Sequence, residues 1–139
     1  ELARLQVASK EGIGIGTLSP TEQATAELGD YFAARSAQFL TPLALVGSAF
    51  TQKVWEALRD IPAGETRSYS QIARQVGRPL SVRAVARANG ANQIALMIPC
   101  HRVIGADGSL TGYGGGLWRK QRLIEIERQL KTTKQETFE

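Results

Sequence analysis

The stretch from Ser68 to Gly90 leaves this chain the least freedom, because its start, stop and restart signals allow two short helices around a tight turn. Ser68 or Ser70 begins the first helix, which carries Ile72, Ala73 and Val76 at helical spacing. Gly77 follows, where a helix end calls for left-handed backbone. Pro79 and Ser81 open the second helix, with Val82, Val85 and Ala86 facing inward and Asn89-Gly90 closing it. Arg83 and Arg87 then fall outside among Ala84, Ala88 and Ala91, small residues over which another backbone can come close.

Helical signals also flank this pair. Ser19-Pro20-Thr21-Glu22 combines a capping serine, a proline at the first helical position and a glutamate completing a capping box. The helix it starts packs through Ala24, Leu28, Tyr31 and Phe32 and ends near Arg35. A second helix, capped by Ser48 or Thr51, carries Phe50, Val54, Trp55 and Leu58 until Ile61-Pro62-Ala63-Gly64 stops it. The last runs from about Leu117 to Leu130, with Leu117, Leu123, Ile124 and Leu130 inward and Glu127 nearer that stripe than Glu125. The tail from Thr132 to Glu139 is polar and expected to fray. Strand material is short: Leu5 to Ala8 ahead of a turn at Gly12, Gly14 and Gly16, and the apolar run Ile94 to Ile98 as a strand or extended segment. The spacing at Gly12 to Gly16 is not that of a dinucleotide-binding loop. The expectation is an α/β chain, with an N-terminal lobe of one helix over residues 1–47. A mostly helical domain with a helix-turn-helix and short strands takes 48–139.

Chemistry concentrates at Pro99-Cys100-His101-Arg102, which holds the only cysteine and the only histidine. A thiol attacks as thiolate, and a neighbouring imidazole is a common means of producing one. Neighbours on a regular strand point to opposite faces, so the pair needs an irregular backbone, which Pro99 favours. The alternative is a small buried hydrophobe beside a structural histidine. One cysteine and one histidine exclude an internal disulfide and an ordinary Cys/His zinc cluster, and a free thiol suits a reducing cytoplasm. The opening residues do not read as a secretory leader, and no apolar run is long enough to span a bilayer.

Charge is unevenly spread. Residues 1–64 carry five basic and seven acidic side chains, whereas residues 65–139 carry twelve and six. From Thr66 to Ala106 there are six arginines and no lysine, aspartate or glutamate. Arginine used alone suits forked recognition of phosphate, and with the helix-turn-helix it points to nucleic acid. Internal pairing with carboxylates of the C-terminal part is the competing use.

The segment Ile98-Pro99-Cys100-His101-Arg102-Val103-Ile104, preceded by Asn92, resembles the active-site signature of the 6-O-alkylguanine-DNA alkyltransferases. Phe50 to Trp55, Ile61 to Tyr69, Arg83-Ala84-Val85 and Gly112 to Lys120 resemble further segments of that family in the same order, over roughly residues 20–130. The resemblance implies that Cys100 takes an alkyl group from the 6-oxygen of guanine, or less readily from the 4-oxygen of thymine, once per molecule. It implies a relay of Glu127, His101 and a water that draws the proton from Cys100. Tyr69 would protonate the leaving base or help rotate it out of the duplex, Arg83 would fill the gap, and Asn92 would brace the cysteine turn. Ala84, Arg87 and Arg102 would meet DNA with Tyr69 and Arg83, while Met97, Tyr113, Gly114 and Gly115 would wall the base pocket.

The implied protein is a cytoplasmic monomer that binds alkylated double-stranded DNA, nucleoid-associated in a bacterium, with no cofactor, metal or membrane partner. Two departures stand out: the N-terminal lobe is shorter than usual, and Gly114 stands where some members carry a side chain that reaches substrate. Three other readings remain at this point. They are a non-catalytic lesion-binding relative, a class that replaces the cysteine; the repair domain of an adaptive-response regulator; and a cysteine hydrolase, for which no oxyanion-hole pattern stands out.

Overall fold

A computed structural model describes residues 19–138, so the readings at Leu5 to Ala8 and Gly12 to Gly16 lie outside the described residues. The chain divides into two compact units between Ala44 and Leu45. In the first, helix α1 (Pro20–Phe32) carries the expected capping box: Ser19 Oγ accepts from the Glu22 amide, and Glu22 accepts from the Ser19 amide. The helix ends three residues before Arg35, because Ala34 turns to φ 59°. Phe32 is 63% exposed rather than packed, and Tyr31 is the buried ring, 5.7 Å from Phe39. Glu27 accepts from the amides of Leu40 and Thr41, drawing the following segment back along α1.

The second unit is built on α2 (Ala49–Arg59), which packs against α3 (Tyr69–Gln75) and α4 (Val82–Gly90). Ser48 caps α2 through the Thr51 amide, and Ser68 caps α3 in a box with Gln71. At the centre lies Trp55, 2% exposed, with its indole N–H donating to the Ala88 carbonyl at 3.0 Å. A tryptophan here removes roughly 150–250 Å² from water, on the order of 4–6 kcal/mol. Gly77 takes φ +80°, the left-handed turn its position predicts. The inward face of α4 is Val85, Ala88 and Asn89, so Ala88 is buried and Ala86 exposed, the reverse of the sequence assignment. Docking of the Ala88 turn under Trp55 sets that phase, which a row of alanines does not reveal.

Strands β1 (Arg67–Ser68) and β2 (Val103–Ile104) form a two-rung parallel ladder, Arg67 opposite Val103 and Ser68 opposite Ile104. The α/β expectation is met with very little strand. Ile94 to Ile98 is not a strand but a tight turn in which Leu96 takes φ 73°. Asn92 replaces the ladder there: its Oδ1 accepts from the Ile94 amide, and its Nδ2 donates to the Ile98 carbonyl at 2.6 Å. Helix α5 (Leu117–Phe138) buries Leu123, Ile124, Glu127 and Leu130 and continues through the segment expected to fray. Leu117, expected inward, is 47% exposed. Among the described residues no helix is long and apolar enough to cross a membrane.

Candidate active site

Cys100 opens a single 3-10 turn, Cys100–Arg102, whose three side chains are all buried. Pro99 and this turn supply the irregular backbone that adjacent functional side chains need. Cys100 lines a cavity of about 650 Å³, within the range of small-ligand sites. His101 is fully buried, and its Nε2 lies 2.8 Å from Glu127 Oε2. With Nε2–H donating to that carboxylate, a neutral ring keeps its proton there and presents Nδ1 as an acceptor. Among the described residues no group hydrogen-bonds Nδ1.

Glu127 accepts from two side chains. Besides His101 it accepts from Arg102 Nε at 2.8 Å and Arg102 Nη2 at 3.0 Å, the forked geometry that suits a carboxylate. Burial alone would push the Glu127 carboxyl up, but the hydrogen bonds and charges of His101 and Arg102 outweigh it and hold it at about 2. Arg102 spends its remaining nitrogen on the Ile61 carbonyl at 2.7 Å. The expectation that Arg102 meets DNA is corrected: its guanidinium is buried and committed to Glu127 and Ile61. It takes the internal carboxylate pairing that the arginine run left open.

Burial pushes the Cys100 thiol up, against the Asn92 amide that hydrogen-bonds the sulfur and the positive charge of Lys120, both of which pull it down. The thiol is therefore held as SH at rest, and a base must remove its proton as it reacts. Lys120 is fully buried, and its Nζ donates to the carbonyls of Thr111 at 2.8 Å and Gly112 at 3.4 Å. Burial draws the Lys120 ammonium below the usual lysine range, and the charge of Cys100 opposes this.

The cavity wall brings together several expected residues. Tyr69, at the start of α3, lines it and donates from its hydroxyl to the Thr111 carbonyl at 3.3 Å. Tyr113, Gly114, Gly115 and Asn92 line it as well. Burial pushes the Tyr113 hydroxyl up, and the charges of Cys100 and Glu127 add to this. Met97, expected in the pocket, is not among the residues that line this cavity. Arg83 and Arg87 are exposed one turn apart on α4, with Ala84 half-buried between them. Lys120 and Asn89 were missed by the sequence reading. Lys120 sits in a polar run that looks like solvated helix surface, and Asn89 reads only as a helix end. Among the described residues no three His, Cys, Asp or Glu side chains gather to hold a metal ion. What the arrangement offers is a single sulfur nucleophile on a cavity, an oriented imidazole beside it and a buried carboxylate behind that.

Residues 49–129 match the family model described as 6-O-methylguanine DNA methyltransferase, DNA binding domain. The chain is 58% identical over 106 residues to the methylated-DNA–protein-cysteine methyltransferase of Mycolicibacterium paratuberculosis, covering 76% of this chain and 64% of that one. It therefore spans somewhat less than two thirds of that relative's length. A crystal structure of Mycobacterium tuberculosis OGT in complex with DNA superposes with a TM-score of 0.76 at 54% identity, over 78% of this chain and 67% of that one. Schizosaccharomyces pombe Atl1, solved with damaged DNA containing O6-carboxymethylguanine, matches with a TM-score of 0.53 at 32% identity, over 60% of this chain and 79% of that one. By the matched model and by these identities, the chain belongs to the 6-O-methylguanine DNA methyltransferase family.

Proposed function

We propose that this chain repairs DNA by moving an alkyl group from the 6-oxygen of guanine onto Cys100, with 4-O-alkylthymine a poorer donor. The observation that carries the reading is the Cys100 thiol on a cavity with room for a base, next to an imidazole whose far nitrogen is fixed on a buried carboxylate. In the reaction the carbon–oxygen bond of the lesion breaks as a carbon–sulfur bond forms. The thiol proton passes through a water to His101 Nδ1, and Glu127 steadies the imidazolium that results. Guanine leaves as an anion, and the Tyr69 hydroxyl at the cavity wall is placed to stabilise or protonate it, a donation worth most in the transition state. Asn92 holds the turn that carries the sulfur, while Tyr113, Gly114 and Gly115 enclose the base. The thioether has no leaving group to restore the thiol, so each molecule acts once.

The base has to leave the duplex to reach Cys100, at a cost of a few kcal/mol. Arg83 enters the vacated stack from α4, with Ala84 allowing close approach and Arg87 contacting phosphate. In this reading residues 48–139 form the catalytic and DNA-binding domain and residues 1–47 the appended lobe. The protein works as a cytoplasmic monomer on double-stranded DNA. Incubation with DNA containing 6-O-methylguanine should raise the intact mass by one methylene equivalent, on Cys100, and Cys100→Ser should stay unmodified. More than one equivalent demethylated per protein molecule would overturn the single-use mechanism, and tight lesion binding with no mass change would favour a non-catalytic lesion binder.

A further inference from the structure

Among the described residues, two buried side-chain polar atoms have no partner, and both lie at Cys100: His101 Nδ1 and Asn89 Oδ1. A buried acceptor left unpaired is costly, so each calls for an explanation. The proton relay explains His101 Nδ1. Asn89 Oδ1 has no part in that relay.

Asn89 lies on the inward face of α4, only 5% exposed, and forms part of the cavity wall together with Cys100. Its Nδ2 donates to the Cys100 carbonyl at 3.5 Å. That contact favours the orientation with Nδ2 toward the carbonyl, since the opposite one would set two oxygens face to face. The bond is long, and the terminal torsion of asparagine is soft, so Oδ1 can swing toward a donor within the cavity without breaking the helix. The missing partner is therefore a hydrogen-bond donor on whatever occupies the cavity.

We propose that Asn89 is a specificity-determining residue that accepts a hydrogen bond from the exocyclic 2-amino group of the everted base. The inference rests on the repair reading above. Alkylation at the 6-oxygen leaves N1 of guanine unprotonated, so the 2-amino group is the one donor remaining on that edge. An alkylated 4-oxygen on thymine leaves N3 unprotonated and no donor at all. A neutral acceptor at this place rewards the purine and gives the pyrimidine nothing, while leaving alkyl groups of different size on an equal footing.

The test uses the full chain and single-stranded oligonucleotides carrying either 6-O-methylguanine or 6-O-methylhypoxanthine, which lacks only the 2-amino group. Single strands remove the eversion cost from the comparison. The rate of methyl transfer to Cys100 is read by intact mass. The unsubstituted protein should prefer the amino-bearing base by roughly threefold to tenfold, the worth of one neutral hydrogen bond. Asn89→Leu should lower that preference to near one, by slowing the guanine substrate more than the hypoxanthine one. Loss of the Asn89 contact to the Cys100 carbonyl affects both substrates equally and cancels in the ratio. Should Asn89→Leu lose its helical signal, Asn89→Ala, a better helix former, carries the same comparison. No preference in the unsubstituted protein, or a preference kept in the variants, overturns the role of Asn89. No transfer from either base in the unsubstituted protein would instead overturn the repair reading itself.

Discussion

Glu127→Gln is the substitution whose consequences the geometry fixes most tightly. Glutamine keeps the shape of the side chain but brings no charge to Arg102 and His101, the two groups that hold the carboxyl at about 2, well below the usual carboxylate range. Held that far below an ordinary glutamate, the carboxyl contributes about 3 kcal/mol of native-state preference for the ionised form. The side chain is 1% exposed, so solvent screening removes little of this. Because the folded value lies below the unfolded one, that stability is complete above about pH 4.5 and is lost as pH falls from there toward 2. The substitution also leaves the Arg102 guanidinium buried without its counter-ion, a defect that costs about 3–5 kcal/mol. Urea unfolding followed by circular dichroism should thus place Glu127→Gln at least 3 kcal/mol below the unsubstituted protein at pH 7. The gap should narrow steadily below pH 4.5. Adding Arg102→Met to Glu127→Gln should recover part of the loss, since it removes the stranded charge. A variant within 1 kcal/mol at pH 7, or a gap that stays constant down to pH 2.5, would refute the assignment of Glu127 as the ionised anchor of this site.

Two further outcomes follow from groups on either side of the sulfur. Lys120→Met should raise the pKa of the Cys100 thiol, read as thiolate absorbance at 240 nm against pH, because the lysine charge pulls that thiol down; an unchanged titration would mean that Lys120 only ties the Thr111 and Gly112 carbonyls. Arg83→Ala should slow methyl transfer from duplex DNA by about tenfold or more, the worth of a partly unfilled stack, while reaction with the free modified base is unchanged. Equal losses on the two substrates would remove Arg83 from base eversion.

The helices were legible because their ends are marked by single side chains. Ser19, Ser48 and Ser68 each cap the helix they announce, and Gly77 takes the left-handed turn its place implies. What escaped was anything decided by tertiary contact. Ile94 to Ile98 has the composition of a strand, yet the Asn92 side chain takes the hydrogen bonds that a ladder would supply. The phase of α4 was read one way because Ala84, Ala86 and Ala88 carry no contrast, and Trp55 chose the other. Arg102 and Lys120 look like surface cations in any hydropathy reading, and only packing shows that both are buried. Of the site, the residue types were visible in the sequence. The pairing of Glu127 with His101 and Arg102, the two residues after Cys100, across 26 and 25 positions, was a matter of how α5 docks.

The two-rung ladder between β1 and β2 has a consequence out of proportion to its size. Ser68 directly precedes Tyr69, and Val103 directly follows Arg102, so the ladder spaces the phenol from the sulfur. A slip of one rung would displace one against the other by about 3.3 Å, farther than a hydrogen bond can stretch, and would do so with every helix intact. Insertions or deletions that shift either strand by a residue should therefore abolish transfer, and in β2 they should also lower stability, because Val103 and the Arg102 pairing to Glu127 move with the strand. The smallest element of the fold is its ruler.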